Sequence, residues 1–245
     1  MCYDISLTKS KKSIENFYKA HDLQFNPPLV YESYFHQRGF WHQNIYIIPQ
    51  QQPEEIVPAT WGLIPPQMYE FIDDYQKRNH NLNARSESLW KVSEWVQCMP
   101  KNRCLIIADG FFEPHHRGEE IVPYYCYIPD KDSEDNRKIF VFAGIYTEIP
   151  SDAYTASIIT VPANSLFEKV HNSANRMPLV LDEEFHQEWL RFDTTKEKLK
   201  ELMKFGFTKD EFQVHSVNKN LYKNKNPNNP ETIKYVEYPS LFDDF

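Results

Sequence analysis

The sequence predicts an α+β fold, and two observations lead to this prediction. Short runs of β-branched and aromatic residues, typical of strands, fill the middle of the chain. Segments with apolar residues at helical spacing precede and follow them. The 245 residues are 41% hydrophobic and 15% aromatic, which supplies a large core and excludes a disordered chain. No internal repeat or low-complexity linker divides the chain, so we expect a single domain over residues 1–245.

The first predicted element is a helix over residues 10–21 with Ser13 as its cap. Its apolar face consists of four residues at helical spacing: Ile14, Phe17, Tyr18 and His21. Strands are expected within residues 29–48, where short aromatic and β-branched runs are broken by polar residues. A second helix is expected over residues 66–80.

Strands and then helices are predicted for the rest of the chain. The strands cover residues 103–112, 124–128, 139–146 and 156–161. A helix over residues 182–190 follows, and another begins at a capping box of Thr194 and Glu197 and stops at Gly206. The last 35 residues are rich in Asn, Lys and Pro, and we expect them to wrap the domain without forming a core.

Composition excludes several classes of protein. Lys and Arg total 27 against 35 Asp and Glu, so the net charge of −8 gives no support to nucleic-acid binding by bulk charge. The longest apolar run, residues 139–146, is far shorter than the roughly 20 residues that span a bilayer. The chain does not start with a basic stretch followed by an apolar one, so we expect no signal peptide. These features predict a cytoplasmic protein without a membrane partner.

The internal cysteines indicate neither disulfides nor a metal site. Cys98, Cys104 and Cys126 belong to no C-x-x-C pair, and we interpret them as buried small hydrophobes in a reducing compartment. A site built from His115, His116 and Cys104 lacks a known ligand spacing. The adjacent histidines are typical of an exposed turn, so we expect no metal and no cofactor.

Cys2 is the first residue with distinctive chemistry. Removal of Met1 is plausible because the next side chain is small, and it makes Cys2 the N-terminus with a thiol and a primary amine on adjacent carbons. An α-amine has a pKa of about 7.7–8.0, so an appreciable fraction is neutral and nucleophilic at cytoplasmic pH. With an aldehyde, the amine forms an imine and the thiol then closes a five-membered thiazolidine ring. By position alone, the favoured interpretation of Cys2 is an ordinary second residue of a frayed terminus.

Three internal segments carry polar residues suited to a site. Asn83 and Arg85 lie in a segment of amide, guanidinium and hydroxyl groups with few apolar anchors. Glu113 follows two phenylalanines where a predicted strand leaves the core, and partial desolvation there would raise its pKa. His171 stands shortly before Arg176. Taken singly, these residues also fit a turn, a surface ion pair, a strand-end carboxylate and a loop histidine.

The motifs, taken in order, resemble the SRAP family (SOS response-associated peptidase), whose members shield abasic sites in single-stranded DNA. The matching pieces are Cys2, 61–65 (WGLIP), 83–87 (NARSE), 103–106 (RCLI), 109–113 (DGFFE), 143–146 (AGIY), 159–160 (IT), His171 and 176–181 (RMPLVL). They lie within a motif-bearing core of residues 1–192, and a C-terminal helix and extended tail occupy residues 193–245.

The resemblance implies a barrel-like core of antiparallel or mixed β-sheet with flanking helices, crossed by a positive channel that leads to the mature N-terminus. Cys2 would join C1′ of the opened abasic sugar as a thiazolidine DNA–protein crosslink, and Asn83 would hold the reactants in register. Glu113 would assist proton transfer. His171 would act on the sugar oxygen during ring opening and during hydrolytic release.

The resemblance also implies partners and further activities. Three residues would contact the DNA: Arg85, Trp61 and Arg176. The expected partner is single-stranded DNA with abasic sites, and the expected protein is a monomer associated with the nucleoid when bound. Autoproteolytic and AP-lyase-type activities are further family expectations. A buried position in the core is an equal alternative for Trp61.

Two departures from the family keep other functions open. The family commonly begins Met-Cys-Gly-Arg, whereas here Tyr3 and Asp4 follow Cys2. The glycine lets backbone approach the sugar closely, and the arginine would reach a phosphate. One alternative is therefore a non-covalent single-stranded DNA-binding module. Another is a cysteine peptidase with Cys2 as nucleophile and His171 as base.

Overall fold

The computed structural model describes residues 2–18, 24–25, 30–150, 153–207, 210–223 and 228–238. Fourteen strands and six α-helices lie within these residues. The strands are β1 (Asp4–Leu7), β2 (Gln24–Phe25), β3 (Tyr34–Arg38), β4 (Asn44–Pro49), β5 (Glu55–Trp61), β6 (Asn83–Arg85), β7 (Arg103–Ala108), β8 (Gly110–Arg117), β9 (Glu120–Tyr127), β10 (Phe140–Ile149), β11 (Ala153–Pro162), β12 (Arg176–Pro178), β13 (Val180–Leu181) and β14 (Gln213–Ser216). The helices are α1 (Lys11–Phe17), α2 (Ile72–Arg78), α3 (Ser93–Val96), α4 (Ser165–Val170), α5 (His186–Leu190) and α6 (Lys196–Phe205).

Five strands close into a barrel. They are hydrogen-bonded in the order β11–β10–β7–β4–β5, and β5 pairs with β11 to complete the ring. The closing pair is parallel, with Ala59 opposite Tyr154, and the other four pairs are antiparallel. Every residue of β7 is buried because both of its faces are covered. The predicted α+β fold with a barrel-like mixed sheet is confirmed.

A second sheet of five strands carries residues near the N-terminus. Its order is β14–β9–β8–β1–β3, and all of its pairs are antiparallel. The chain passes from the barrel to this sheet at Asp109, between β7 and β8. The Asp109 carboxylate accepts hydrogen bonds from Ser6 Oγ at 2.6 Å and from the Thr8 amide at 2.9 Å, so the corner also fixes β1. The N-terminal strand is thereby held beside β8.

Several predicted element boundaries shift in the structure. The cap of α1 is Ser10 and not Ser13, since Ser10 Oγ accepts from the Ser13 amide. The cap of α6 is Thr195 and not Thr194, and that helix does end at Gly206. Thr194 instead donates its hydroxyl to the Glu188 carbonyl at 2.6 Å. His21, predicted on the face of the first helix, lies outside the described residues.

Two predicted helices are shorter than expected because each begins as a 3₁₀ turn. The turn Pro66–Phe71 precedes α2, and the turn Glu183–Phe185 precedes α5. The expected strand 103–112 is two strands, since Asp109 interrupts it. Glu113 consequently lies within β8, fully buried, and not at a strand exit.

The C-terminal segment contributes to a core, contrary to the sequence prediction. Val217, Leu221 and Ile233 are buried in a small cluster with Phe112 and Tyr125 on one face of the second sheet. Strand β14 pairs with β9, which brings this segment onto the sheet edge. Covering the aromatic face removes apolar area from water, and this burial holds the segment in place.

The three internal cysteines are buried and free, as predicted from the sequence. His115 and His116 are on β8 and form no exposed turn; His115 is buried and His116 is exposed. The turn follows them at Gly118, whose φ of 59° lies in the left-handed region that favours glycine. Over the described ranges, every helix is too short or too polar to cross a bilayer.

Candidate functional site

The register of β1 on β8 brings residue 2 to the candidate site. Asp4 is opposite Phe112 in this antiparallel pair. Continuing the register by one residue places Tyr3 level with Glu113. The Tyr3 carbonyl also accepts a hydrogen bond of 2.8 Å from the Gly39 amide. The start of the chain is therefore held on both sides.

Glu113 and His171 form a buried pair. His171 Nδ1 lies 2.8 Å from Glu113 Oε2. Glu113 is fully buried and His171 nearly so. This contact orients the imidazole ring relative to the carboxyl group. A buried carboxylate with an oriented imidazole is suited to proton transfer.

The end of α4 is fixed against β8, and this fixes His171. His115 Nδ1 lies 3.0 Å from the Lys169 carbonyl near the end of that helix. The His116 amide donates to Asn172 Oδ1 at 2.9 Å, and Asn172 Nδ2 donates to the His116 carbonyl at 2.7 Å. These contacts flank His171 in sequence, so they position its ring over Glu113. Sequence reasoning missed the roles of His115 and Asn172, although His115 falls two residues after Glu113 on the same strand face.

Asn83 contacts residue 2 directly. Its Nδ2 donates to the Cys2 carbonyl at 2.8 Å. Strand β6 carries Asn83 alongside β11, where Asn83 is opposite Ile158 in parallel register. Asn83 Oδ1 is buried and has no hydrogen-bond partner among the residues that the structure describes. The amide thus holds the backbone of residue 2 and keeps an acceptor at the site.

Burial controls the thiol of Cys2. The side chain is fully buried and belongs to the main apolar cluster. Burial raises the pKa of the Cys2 thiol well above its ordinary value, and the charge of Glu113 raises it further. The thiol is therefore neutral near pH 7. Glu113 is therefore close enough to residue 2 for its charge to influence the pKa of the Cys2 thiol.

Tyr3 and Asp4, the two departures from the family pattern, lie in different environments. Asp4 is buried, and its Oδ1 accepts a hydrogen bond of 2.6 Å from His36 Nε2. Its negative charge is consequently not presented to a ligand. Tyr3 is half-buried, and burial and Glu113 raise the pKa of its hydroxyl while Arg85 lowers it. Both the buried Glu113 and the exposed Arg85 therefore influence the Tyr3 hydroxyl.

Two of the three residues expected to contact DNA are buried in the structure. Trp61 is fully buried, and its indole N–H donates to the Leu82 carbonyl at 3.0 Å. Arg176 is also buried, and its guanidinium binds both carboxylate oxygens of Glu87 at 2.7 and 3.1 Å. The burial of Trp61 fits the alternative position in the core, and Arg176 keeps 11% of its side chain exposed. Their contacts hold residues 82 and 87, on either side of Asn83.

Arg85 is the exposed member of that segment. It ends β6 and points away from the core while its neighbour Ala84 is buried. The structure therefore brings together Cys2, Asn83, Glu113 and His171 and leaves Arg85 at their edge. Across the described parts of the chain, no three His, Cys, Asp or Glu side chains are arranged to hold a metal ion.

The comparisons with known proteins give one consistent result. The family profile described as SOS response associated peptidase (SRAP) matches residues 1–224. The abasic site processing protein YoqW of Bacillus subtilis (strain 168) is 28% identical over 213 residues, covering 82% of this chain and 89% of YoqW. The abasic site processing protein HMCES of Mus musculus is 30% identical over 204 residues, covering 73% of this chain and 56% of HMCES.

A solved structure has the same fold. The crystal structure of a Bacteroides thetaiotaomicron protein, structural genomics target BtR8, aligns with a TM-score of 0.79 at 26% identity. The alignment covers 96% of this chain and 100% of that chain. A Bordetella bronchiseptica protein, target BoR19, aligns with a TM-score of 0.68 at 18% identity, covering 89% of this chain and 100% of that one.

Proposed function

The chain belongs to the SRAP family, and from that premise we propose that it processes abasic sites in single-stranded DNA through a covalent reaction of Cys2. The names of its relatives, YoqW and HMCES, support this assignment. The observation that carries the proposal is the cluster around residue 2. Asn83 binds its carbonyl, Glu113 acts on its thiol and His171 is paired with Glu113.

The reaction requires that Met1 is removed, because only then does Cys2 carry a primary amine. The nitrogen attacks C1′ of the ring-opened abasic sugar, and loss of one water gives an imine. The thiol then adds across the C=N bond: sulfur bonds to C1′ and the thiol proton moves to nitrogen. The net change is aldehyde plus aminothiol to thiazolidine plus one water, with no oxidant or reductant.

Each neighbouring residue has a role in this sequence. Glu113 takes a proton from the ammonium and returns it when the hydroxyl leaves as water. His171 uses its second ring nitrogen to protonate the sugar oxygen as the ring opens, and acts on the same oxygen when the crosslink is hydrolysed. Asn83 keeps residue 2 aligned, and Arg85 binds a phosphate at the edge of the site. Holding amine and C1′ together removes the entropy cost of a bimolecular encounter.

The state of the thiol favours this reaction over peptide hydrolysis. A cysteine peptidase attacks with a thiolate, which needs a lowered thiol pKa. Burial and Glu113 raise the pKa of Cys2. In thiazolidine formation the amine makes the first bond, and a neutral thiol supplies both the sulfur and the proton for the second. The same cluster is compatible with self-processing at Met1 and with AP-lyase chemistry from the imine.

Crosslinking to a defined oligonucleotide tests the proposal. The mature protein is incubated with single-stranded DNA that carries one abasic site, and products are separated on a denaturing gel. We expect a heat-stable shifted band whose mass is the sum of both reactants minus one water. Cys2→Ala and a form that retains Met1 should lose the band. The matched control Cys98→Ala removes another buried thiol and should keep it.

Other outcomes would contradict the proposal. A band of equal intensity with Cys2→Ala, or with undamaged DNA, would show that the crosslink does not depend on the chemistry described. Cleavage of a peptide panel with no DNA adduct would support the peptidase. Binding to single-stranded DNA with no adduct would support the non-covalent module.

A further inference from the structure

We propose that a row of four aromatic rings beside residue 2 stacks the nucleobases next to the abasic sugar. The ring row consists of Tyr3, Phe40, His80 and His42. This inference rests on the proposed function and adds to it the part of the surface that reads the DNA around the lesion. It also gives a role to Tyr3, the residue that replaces the family's glycine.

The rings are contiguous. The centroids of Tyr3 and Phe40 are 4.9 Å apart, those of Phe40 and His80 are 5.0 Å apart, and those of His80 and His42 are 5.3 Å apart. Each distance is within the range of ring–ring contact. The four residues come from three separate parts of the sequence, so only the folded chain assembles the row. It starts at the residue that follows the reactive cysteine.

The middle of the row is open to solvent, and both of its ends are held by hydrogen bonds. Phe40 is 40% exposed and His80 is also exposed, whereas Tyr3 and His42 are partly buried. Tyr3 is tied by its carbonyl to the Gly39 amide, next to Phe40. At the other end, His42 Nδ1 lies 2.8 Å from the Trp61 carbonyl and His42 Nε2 lies 3.1 Å from His80 Nδ1. Rings held in this way lose little entropy when a ligand stacks on them.

Positive charge accompanies the row. The Arg38 guanidinium carbon lies 5.9 Å from the centre of the Phe40 ring and 6.0 Å from that of Trp41, a second exposed aromatic residue. At the other side, Arg85 acts electrostatically on Tyr3. The nearby acid Asp4 is buried against His36. Exposed rings between arginines are typical of surfaces that bind single-stranded nucleic acid, where bases stack and phosphates pair with cations.

The position of the row identifies its ligand. A strand whose sugar reacts at residue 2 must lay its neighbouring nucleotides over the surface around Tyr3. The abasic nucleotide has no base to stack, so the flanking bases are the only aromatic groups that the strand offers. Stacking on them tolerates any base, as a protein that recognises a missing base requires. The inferred ligand is therefore the base adjacent to the lesion.

Binding measurements test whether the contribution of Phe40 depends on a base beside the lesion, and they do so independently of the crosslink. The DNA carries a tetrahydrofuran abasic analogue, which has no aldehyde and cannot react. One oligonucleotide has normal bases on both sides, and two others replace the 5′ or the 3′ neighbour with a second tetrahydrofuran. Dissociation constants are measured for the wild type, Phe40→Ala, Phe40→Leu and Phe40→Trp.

We expect Phe40→Ala to weaken binding to the base-flanked oligonucleotide by about fivefold to a hundredfold, which corresponds to the loss of one base–aromatic contact. Phe40→Leu, which is apolar but has no ring, should lose nearly as much, and Phe40→Trp should retain the affinity. On one of the base-free-flanked oligonucleotides, the wild type should itself be weaker and Phe40→Ala should cause no further loss. Phe205→Ala removes another exposed phenylalanine, on α6, and should change nothing.

Two results would contradict the proposed stacking of bases on the ring row. The first is Phe40→Ala and Phe40→Leu binding as tightly as the wild type. The second is equal weakening on all three oligonucleotides, which would mean a loss of structure and not of stacking. If Phe40→Ala lowers the melting temperature, the comparison of Phe40→Leu with Phe40→Trp decides the question in folded protein.

The failure of this inference is distinguishable from that of the proposed function. One outcome is a Cys2-dependent crosslink on aldehyde-bearing DNA together with an effect of Phe40→Ala that does not depend on the flanking bases. It would support the proposed function and contradict the proposed base stacking on the ring row. The other outcome is an effect of Phe40→Ala that requires a flanking base, with no crosslink on aldehyde-bearing DNA. It would support base stacking on the ring row and contradict the covalent chemistry.

Discussion

The barrel and the second sheet bury different kinds of side chain. Strand β7 of the barrel carries a run of apolar residues, Cys104 to Ala108, and all are buried. Strands β1 and β8 of the second sheet instead bury Asp4 and Glu113, and Asp109 is buried between β7 and β8. Isolated carboxylates are costly to remove from water, so each requires a partner. The comparison shows that the second sheet buries the carboxylates Asp4 and Glu113, whereas the charged residue of β7, the buried Arg103, donates to the main-chain carbonyls of Trp189 and Arg191.

The partners in the second sheet support this division. His36 binds Asp4, Ser6 and Thr8 bind Asp109, and His171 binds Glu113. Replacing a whole pair with apolar residues often leaves stability unchanged, whereas removal of one partner alone leaves a buried polar group uncompensated and destabilises the fold. We therefore expect changes in the second sheet that keep both positions of a pair polar, such as Glu113→Gln, to affect the reaction more than folding, and changes in the barrel to have the opposite effect.

The largest expected effect comes from the pair at the site. Glu113→Gln and His171→Ala should each slow crosslinking by about a hundredfold to ten-thousandfold, because general acid–base catalysis contributes that much. Single-turnover crosslinking rates measure the effect, and circular dichroism checks the fold. The matched control is His116→Ala on the same strand, since only its backbone contacts Asn172 and its side chain is exposed. Unchanged rates in both site variants would remove these residues from the mechanism.

The next effect concerns the barrel. Ile106 is fully buried on β7, between Ile47 and Phe142 on the neighbouring strands. Ile106→Ala should lower the free energy of unfolding by about 2–5 kcal/mol through lost burial and the cavity left behind. Urea unfolding measures this, and the crosslinking rate of the folded fraction should stay within about twofold of wild type.

An exposed isoleucine in the second sheet provides the control for the barrel variant. Ile121 on β9 is 44% exposed, so Ile121→Ala should change stability by no more than about 0.5 kcal/mol. If Ile106→Ala slows the reaction of folded protein as strongly as Glu113→Gln does, the proposed separation of stability from chemistry is wrong.

The smallest effect concerns Glu87, which joins the turn after β6 to strand β12 through Arg176. The hydrogen bond from Arg176 holds the pKa of Glu87 below its ordinary value. A carboxyl whose pKa is lower in the folded state stabilises the fold above its unfolded pKa of about 4.3, and this stabilisation is lost as pH falls through the folded pKa. Glu87 is half-exposed, so solvent screens the pair and Glu87→Gln should cost less than about 1 kcal/mol at pH 7.

Thermal unfolding at pH 7 and at pH 3 measures this contribution. The difference between wild type and Glu87→Gln should be smaller at the lower pH, because the stabilisation is lost as pH falls through the folded pKa of Glu87. Glu119→Gln, in the exposed turn between β8 and β9, should show no difference at either pH. A larger loss at pH 3 than at pH 7 would contradict the direction of the pKa shift.

Local patterns predicted most elements and failed where several interactions compete. The strands of the barrel were found because β-branched and aromatic runs form buried strands whatever their neighbours are. The two caps were misplaced by one and three residues, since Ser and Thr occur at several adjacent positions and only backbone geometry selects one. The C-terminal segment was misjudged because Val217 and Leu221 are apolar residues isolated among polar ones, without a period.

The candidate site shows the same division between local and tertiary information. Cys2, Asn83, Glu113 and His171 were selected from motifs, but their proximity depends on β1 pairing with β8 and on α4 ending over that strand. Trp61 and Arg176 belong to motifs that are as distinctive as those of the four site residues, yet both side chains are buried. A motif specifies which residue types are present and does not specify which way each side chain faces.

The fold class, the aminothiol chemistry available at residue 2 and the family motifs follow from residue type, order and local periodicity, so they can be predicted without coordinates. The burial of Asp4, the neutral state of the Cys2 thiol and the assembly of the ring row arise only in the folded chain. Each of these depends on desolvation or on contact between residues far apart in the chain, and no local pattern encodes such distances.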